Sequence, residues 1–129
     1  MNDAHQYTAV YDVLLVDDDS DLREMLAQKL SADGYSVVTA TNGMEAIRSL
    51  SSPGMPRLIV LDLLMPHMTG EEFLRVQRAY LRWSLIPVIV LTGLTRPTLA
   101  TLLGVEAVLE KPIDAEDFLA AVRSLCPVK

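Results

Sequence analysis

Three short stretches of the chain are aliphatic at every position: Val13-Leu14-Leu15-Val16, Leu58-Ile59-Val60-Leu61 and Val88-Ile89-Val90-Leu91. A strand with one face in water alternates apolar with polar residues, so an unbroken run points to a strand covered on both faces, as in a parallel sheet between helices. Two weaker runs, Ser36 to Ala40 and Ala107 to Glu110, fit the same role. The segments between them carry helical spacing. Leu22, Met25, Leu26 and Leu30 form one stripe after the first run, with Ser20 or Asp21 expected to cap its start and Asp33-Gly34 its end. A second helix is expected from about Met44 to Leu50, stopped by the SSPGMP turn. A third runs from Glu71 towards Leu81, and its paired glutamates suit the positive end of a helix dipole. Pro97 fits the first turn of a short fourth helix that reaches Leu103 and is closed by Gly104. A last helix starts near Asp114 with Phe118, Leu119, Val122 and Leu125 on one face. Strand then helix, five times over, predicts an α/β domain with a parallel sheet and helices on both faces. Residues 12–126 are expected to form it, with 1–11 a loosely held extension and 127–129 a tail.

A chain of 129 residues matches one domain of ordinary size. None of its apolar runs approaches the roughly 20 residues needed to cross a bilayer. The opening MNDAHQYTAVYD lacks the basic start and apolar stretch of a secretion signal, which predicts a cytoplasmic location. A net charge of -6 disfavours nucleic acid and anionic membranes as partners and favours cations and basic protein surfaces. The single cysteine, Cys126, excludes an internal disulfide and reads as a small hydrophobe near the chain end.

In an open parallel sheet, ligands bind beyond the carboxyl ends of the strands, where the strand order reverses. The residues that follow the apolar runs are therefore the candidates. They are Asp17, Asp18 and Asp19 after the first, Asp62 after the third, Thr92 with Gly93 after the fourth, and Lys111 with Pro112 after the fifth. For a sheet ordered 2-1-3-4-5, strands one and three are neighbours, and three carboxylates share one pocket. Such a cluster favours a hard divalent cation, which also offsets the mutual repulsion of the acids. Asp62 is suited to attack phosphorus and form an acyl phosphate, with the Lys111 ammonium, the Thr92 hydroxyl and the open backbone at Gly93 facing the transferred oxygens.

The segments LLVDDDSDLR, LIVLDLLMPHMTGEEF, PVIVLTG and LEKPI resemble the signature segments of response-regulator receiver domains of two-component signalling, over nearly the whole chain from about Asp12. The resemblance implies the flavodoxin-like (βα)5 fold. It implies that Asp62 accepts the phosphoryl group, that Asp18 is a direct Mg²⁺ (or Mn²⁺) ligand with Asp17 its partner, and that the Leu64 backbone carbonyl completes the protein ligands. Thr92 matches the switch hydroxyl, Lys111 the phosphate-binding lysine, and Pro112 a Lys-Pro step that is often cis. The partners implied are a sensor histidine kinase or phosphotransfer protein and a downstream protein target, with no catalysis beyond the chain's own phosphorylation and dephosphorylation. Asp19 is expected to be a solvated or capping carboxylate, Asp21 a helix-start residue and His67 a surface loop residue.

Two departures stand out. The aromatic switch position of the family aligns with Val108, and the segment from Thr92 to Lys111 is about three residues shorter than in typical members, which shrinks the fourth helix. Leu64 and Leu94 occupy the two positions flanking the phosphoryl group where polar residues orient a hydrolytic water; two apolar side chains there predict a long-lived phosphoaspartate. Competing readings are a receiver-like scaffold that is never phosphorylated and a small Mg²⁺-dependent phosphatase of the haloacid-dehalogenase type. The latter expects Thr or Val at Asp21 and a further acidic motif beyond Lys111, and neither is present. An EF-hand reading of Asp17-x-Asp19-x-Asp21 fails at Leu22 and Gln28.

Overall fold

The computed structural model describes residues 9–52, 54–93 and 98–128, in which the apolar runs become five strands: β1 (Ala9–Val16), β2 (Val37–Ala40), β3 (Met55–Asp62), β4 (Val88–Thr92) and β5 (Ala107–Glu110). Among the described residues six helices follow the strands, one after each except that two follow β3: α1 (Ser20–Ala32), α2 (Gly43–Ser51), α3 (Gly70–Ala79) with the single turn α4 (Leu81–Ser84), α5 (Leu99–Leu103) and α6 (Ala115–Leu125). The strands form one sheet in the order β2-β1-β3-β4-β5, and every pairing is parallel. This is the flavodoxin-like order expected.

Successive strand residues face opposite sides of a sheet, so each unbroken apolar run feeds two cores at once. Leu14, Val16, Ile59, Leu61, Val88 and Val90 pack with Ala46, Leu50, Phe73, Leu74 and Trp83 from α2, α3 and α4. Val13, Leu15, Leu58, Val60, Ile89 and Leu91 face the other way, onto Leu26 and Leu30 of α1 and Phe118, Leu119 and Val122 of α6. Full burial of each such side chain contributes about 1.5–3 kcal/mol, which explains why no polar residue interrupts Val13–Val16, Leu58–Leu61 or Val88–Leu91. Cys126 is buried in the second core, as a small hydrophobe.

Several boundaries differ from the sequence expectation, each for a local reason. The first strand starts at Ala9, earlier than its apolar run, where it pairs with Met55. Met55 and Pro56, expected in a turn, open β3 instead. Pro56 is tolerated there because it sits at the β-bulge where the β1 register shifts between Ala9 and Tyr11, so the missing N–H falls where that ladder is already interrupted. The helix expected to reach Leu81 stops at Ala79, because Tyr80 is extended (φ -111°, ψ 122°), and α4 follows as a separate turn. Buried Gln77 holds this corner by donating to the carbonyls of Trp83 and Ile86. The cap of α1 is Asp19, not Ser20 or Asp21, since its carboxylate accepts from the Asp21 and Leu22 N–H groups. Gly34 (φ 98°) and Gly104 (φ 68°) end α1 and α5 in the left-handed region, as expected. Pro97 and Leu94 lie outside the described residues.

Candidate functional site

The pairing of Val16 with Leu61 carries β1 and β3 side by side to their carboxyl ends, so the residues that follow, Asp17 and Asp62, emerge next to each other. Both are buried: Asp17 is wholly inaccessible and Asp62 is 3% exposed. Two fixed hydrogen bonds set Asp17, one from its N–H to the Ala40 carbonyl (3.1 Å) and one from the Arg23 guanidinium to its own carbonyl (2.7 Å). Its Oδ1 accepts from the Asp19 N–H at 2.9 Å, while Oδ2 is buried without a hydrogen-bonding partner. Asp18, by contrast, is exposed, yet it offers a carboxylate oxygen that lies within 4.8 Å of one from Asp17 and one from Asp62.

Lys111 follows β5, two strands from β3, and neighbouring strands lie about 4.8 Å apart. Only a long side chain spans that gap, and the Lys111 ammonium does: Nζ is 3.2 Å from Asp62 Oδ1 and 3.3 Å from Asp17 Oδ2. Its backbone N–H donates to the Thr92 carbonyl (2.7 Å), which ties the lysine to the end of β4, and the Lys111-Pro112 bond is cis. Thr92 is buried at that strand end, and beside it Gly93 opens onto free space, with nothing within 4 Å of where a Cβ would stand.

The charges here are unbalanced toward the acid side. Burial and then the Asp17 charge push the Asp62 carboxyl up from 3.8 to about 6, against the opposing pull of Lys111. Burial draws the Lys111 pKa down, but the Asp17 and Asp62 carboxylates outweigh it and hold the ammonium above its usual value. A divalent cation would remove the imbalance. Ligands on opposite sides of Mg²⁺ are about 4.2 Å apart, twice its metal–oxygen distance, so the spacing of the three carboxylate oxygens suits such an ion. Asp17 Oδ2, buried and facing only the Lys111 ammonium among the described residues, is an oxygen it could share.

Structure and sequence bring together Asp17, Asp18, Asp62, Thr92, Gly93 and Lys111 at one end of the sheet. Asp19 turns to its capping role, and Asp21 lies exposed in the first turn of α1. His67 is exposed in the loop after β3, with φ 70°. Leu64 is 70% exposed, and its N–H donates to Asp62 Oδ1 at 3.3 Å. Val108 is half-buried against the core under α3 and α5. Two supporting residues escaped the sequence reading. Arg23, one turn into α1, braces the Asp17 backbone. Gly70 starts α3 so close to β3 that a Cβ would sit 2.7 Å from Leu63 Cα and 2.9 Å from the Asp62 carbonyl oxygen. The signal for Gly70 was present, a glycine eight residues after Asp62, but only the fold shows what it touches.

Comparison with known proteins agrees with this geometry. The family described as response regulator receiver domain matches residues 13–123. The chain is 34% identical over 116 residues to the transcriptional regulatory protein CpxR homolog of Haemophilus influenzae, and 36% identical over 116 residues to the response regulator MprA of Mycobacterium avium. It covers 88% of itself in each case but spans only about half the length of those relatives, 49% and 50%. Among solved structures, the chemotaxis protein CheY4 of Vibrio cholerae superposes with a TM-score of 0.82 at 32% identity, over 91% of this chain and 99% of that one. A response regulator receiver protein from Pseudomonas putida gives 0.80 at 32% identity, over 91% and 99%. The chain belongs to the receiver-domain family of two-component response regulators.

Proposed function

We propose that the chain is a phosphorylation-operated switch: an Asp62 carboxylate oxygen takes a phosphoryl group from the phosphohistidine of a sensor histidine kinase or phosphotransfer protein, and the phosphorylated form binds a downstream protein differently. The observation that carries this reading is the Lys111 ammonium, held within 3.3 Å of both buried carboxylates. In the transfer, the Asp62 oxygen forms its bond to phosphorus as the phosphorus–nitrogen bond breaks, and the donor's ring, protonated on its other nitrogen, keeps the electron pair of that bond and departs as neutral imidazole. A carboxyl whose pKa stands at about 6 is mostly ionised at neutral pH and remains a competent nucleophile. Lys111 moves its charge from the carboxylate onto the incoming oxygens, the Thr92 hydroxyl donates to another, and Gly93 leaves room for the group. Asp17, Asp18, Asp62 and the Leu64 carbonyl are the residues that would hold Mg²⁺ or Mn²⁺. When bound, the ion supplies positive charge to the phosphoryl oxygens.

Incubation of the chain with Mg²⁺ and acetyl phosphate, followed by intact mass, tests the reading. Wild type should gain the mass of one phosphoryl group and Asp62→Asn none. Equal modification of both would remove Asp62 from the role, and no modification of either would leave the never-phosphorylated scaffold as the better account. The readout should differ from that of receivers with an aromatic switch, because Val108 has no ring to swing and α5 offers only five residues for docking. Solution scattering that found a phosphorylation-driven dimer through the α5–β5–α6 face would contradict that.

A further inference from the structure

The chain's charge is unevenly distributed. Residues 73–105 contain four arginines and no acid, while the remaining seven of its 11 basic side chains share the rest of the sequence with all 17 acids. Two of those arginines, Arg75 and Arg78, are exposed on α3 and line a groove of about 310 Å³ between α3 and α5, together with Glu71, Leu74, Leu102 and Leu103. The Arg78 guanidinium fixes one end of the groove by donating to the Gly104 carbonyl, 2.9 Å away, at the end of α5. Helices rise about 1.5 Å per residue, so α5, five residues long, covers only half the length of the ten-residue α3. Among the described residues, Glu71 and Arg75 are exposed on the α3 side of the groove, and Leu102, 64% exposed, stands on its α5 side. Leucines flanked by two arginines and one acid, Glu71, give the groove a net positive charge on a chain of net charge -6.

We infer that this α3–α5 groove is a docking site for an acidic amphipathic helix of a protein partner, whose leucine-type side chains lie on Leu102 and Leu103 while its carboxylates face Arg75 and Arg78. Charge complementarity selects the occupant. The cations face acids, and the apolar floor calls for a helix that carries both kinds of side chain. Nucleic acid fits poorly, since its binding rests on many phosphate contacts and two arginines supply few. The site is separate from the Asp62 pocket, so the inference stands or falls independently of phosphorylation.

The test is titration of the isotope-labelled full chain, unphosphorylated, with a designed helical peptide of glutamates and leucines, followed by amide chemical shifts. A peptide with lysine in place of glutamate serves as the control. Shifts should cluster on α3 and α5, including Arg75 and Leu102, and the lysine peptide should produce none. Arg75→Glu and Leu102→Asp, both at exposed positions, should each weaken binding about tenfold, with thermal melts confirming that the variants remain folded. Equal binding of the lysine peptide, shifts centred on Asp62 or on the exposed Tyr80–Leu85 turn, or unchanged affinity in both variants would overturn the inference. So would sedimentation showing that the free chain dimerises through this groove, because a second copy would then be the occupant.

Discussion

The two flanks of the sheet are unlike. In its centre, β1 and β3 are buried along their last four and five residues and deliver two buried carboxylates to one point. On the far flank, the β5 edge strand is half-exposed, its preceding helix has five residues, and the position expected to carry an aromatic ring is Val108. The centre delivers the buried carboxylates, whereas the edge, which sends in only the Lys111 ammonium, is cut back. A buried charge cluster constrains every neighbour around it, because an unpaired carboxylate out of water is costly. An edge strand in partial contact with solvent imposes no such demand, so it is the part of the fold free to vary the readout.

The contrast can be broken most directly by cavities. Ile59, wholly buried in β3, should lose about 3–4 kcal/mol of stability on truncation to alanine, since a central strand cannot collapse into the void. Val108→Ala on β5 should cost about 1 kcal/mol, because part of that side chain already meets water. Chemical denaturation of both variants measures the difference, and equal losses would show that the edge is as tightly determined as the centre.

A glycine pair sharpens the same comparison on a smaller scale. At Gly70 a methyl group would meet the Leu63 and Asp62 backbone at 2.7–2.9 Å, and backbone cannot step aside as a flexible side chain can. Gly70→Ala should therefore destabilise by about 2 kcal/mol and lower the extent of phosphorylation, by displacing the Asp62 main chain. Gly93→Ala meets nothing within 4 Å and should stay within about 0.5 kcal/mol of wild type. Thermal melts with the acetyl phosphate assay would read both effects.

How much of this was legible beforehand follows the same division. Unbroken apolar runs gave away β1, β3 and β4 because double-sided burial permits nothing else, and the residues at their ends named the site because strand ends in such a sheet converge. What escaped depended on contacts distant in sequence. Pro56 reads as a breaker unless one knows that β1 bulges opposite it, between Ala9 and Tyr11. Tyr80 interrupts a helix whose apolar spacing continues, because Trp83 is drawn into the core and Gln77 holds the corner. Arg23 and Gly70 act on main-chain atoms, and no side-chain pattern announces that.

Removing the buried charge should stabilise the metal-free protein. The Asp62 carboxyl is raised from 3.8 to about 6, so its ionised form is disfavoured by folding. Below about pH 4 the group is protonated in folded and unfolded chains alike and no penalty exists; the penalty grows through the interval and is complete above about pH 6. Asp62→Asn should therefore gain up to about 3 kcal/mol over wild type at pH 8 in the presence of a chelator, and the gain should fade towards pH 4. A gain that persisted unchanged at pH 4 would mean that packing, not charge, is responsible.

The smallest effect expected concerns the lifetime of the phosphoryl group. Leu64 leaves β3 with its N–H on Asp62 Oδ1 and its side chain 70% exposed, so the chain beside the acceptor presents a branched apolar surface to incoming water. Hydrolysis needs a water lined up opposite the aspartyl oxygen, and a polar side chain at this position can hold one there, whereas leucine can only crowd it. Leu64→Asn should thus shorten the phosphoaspartate half-life several-fold while leaving the initial rate of phosphorylation from acetyl phosphate unchanged. Both are readable from a time course of intact mass after donor removal. Because Leu64 is so exposed, the substitution should leave the melting temperature nearly where it was, which separates an effect on water from one on the fold. If the phosphoryl group were lost faster from wild type than from Leu64→Asn, the leucine would not be shielding the site, and protection would have to come from the buried side of the pocket around Thr92.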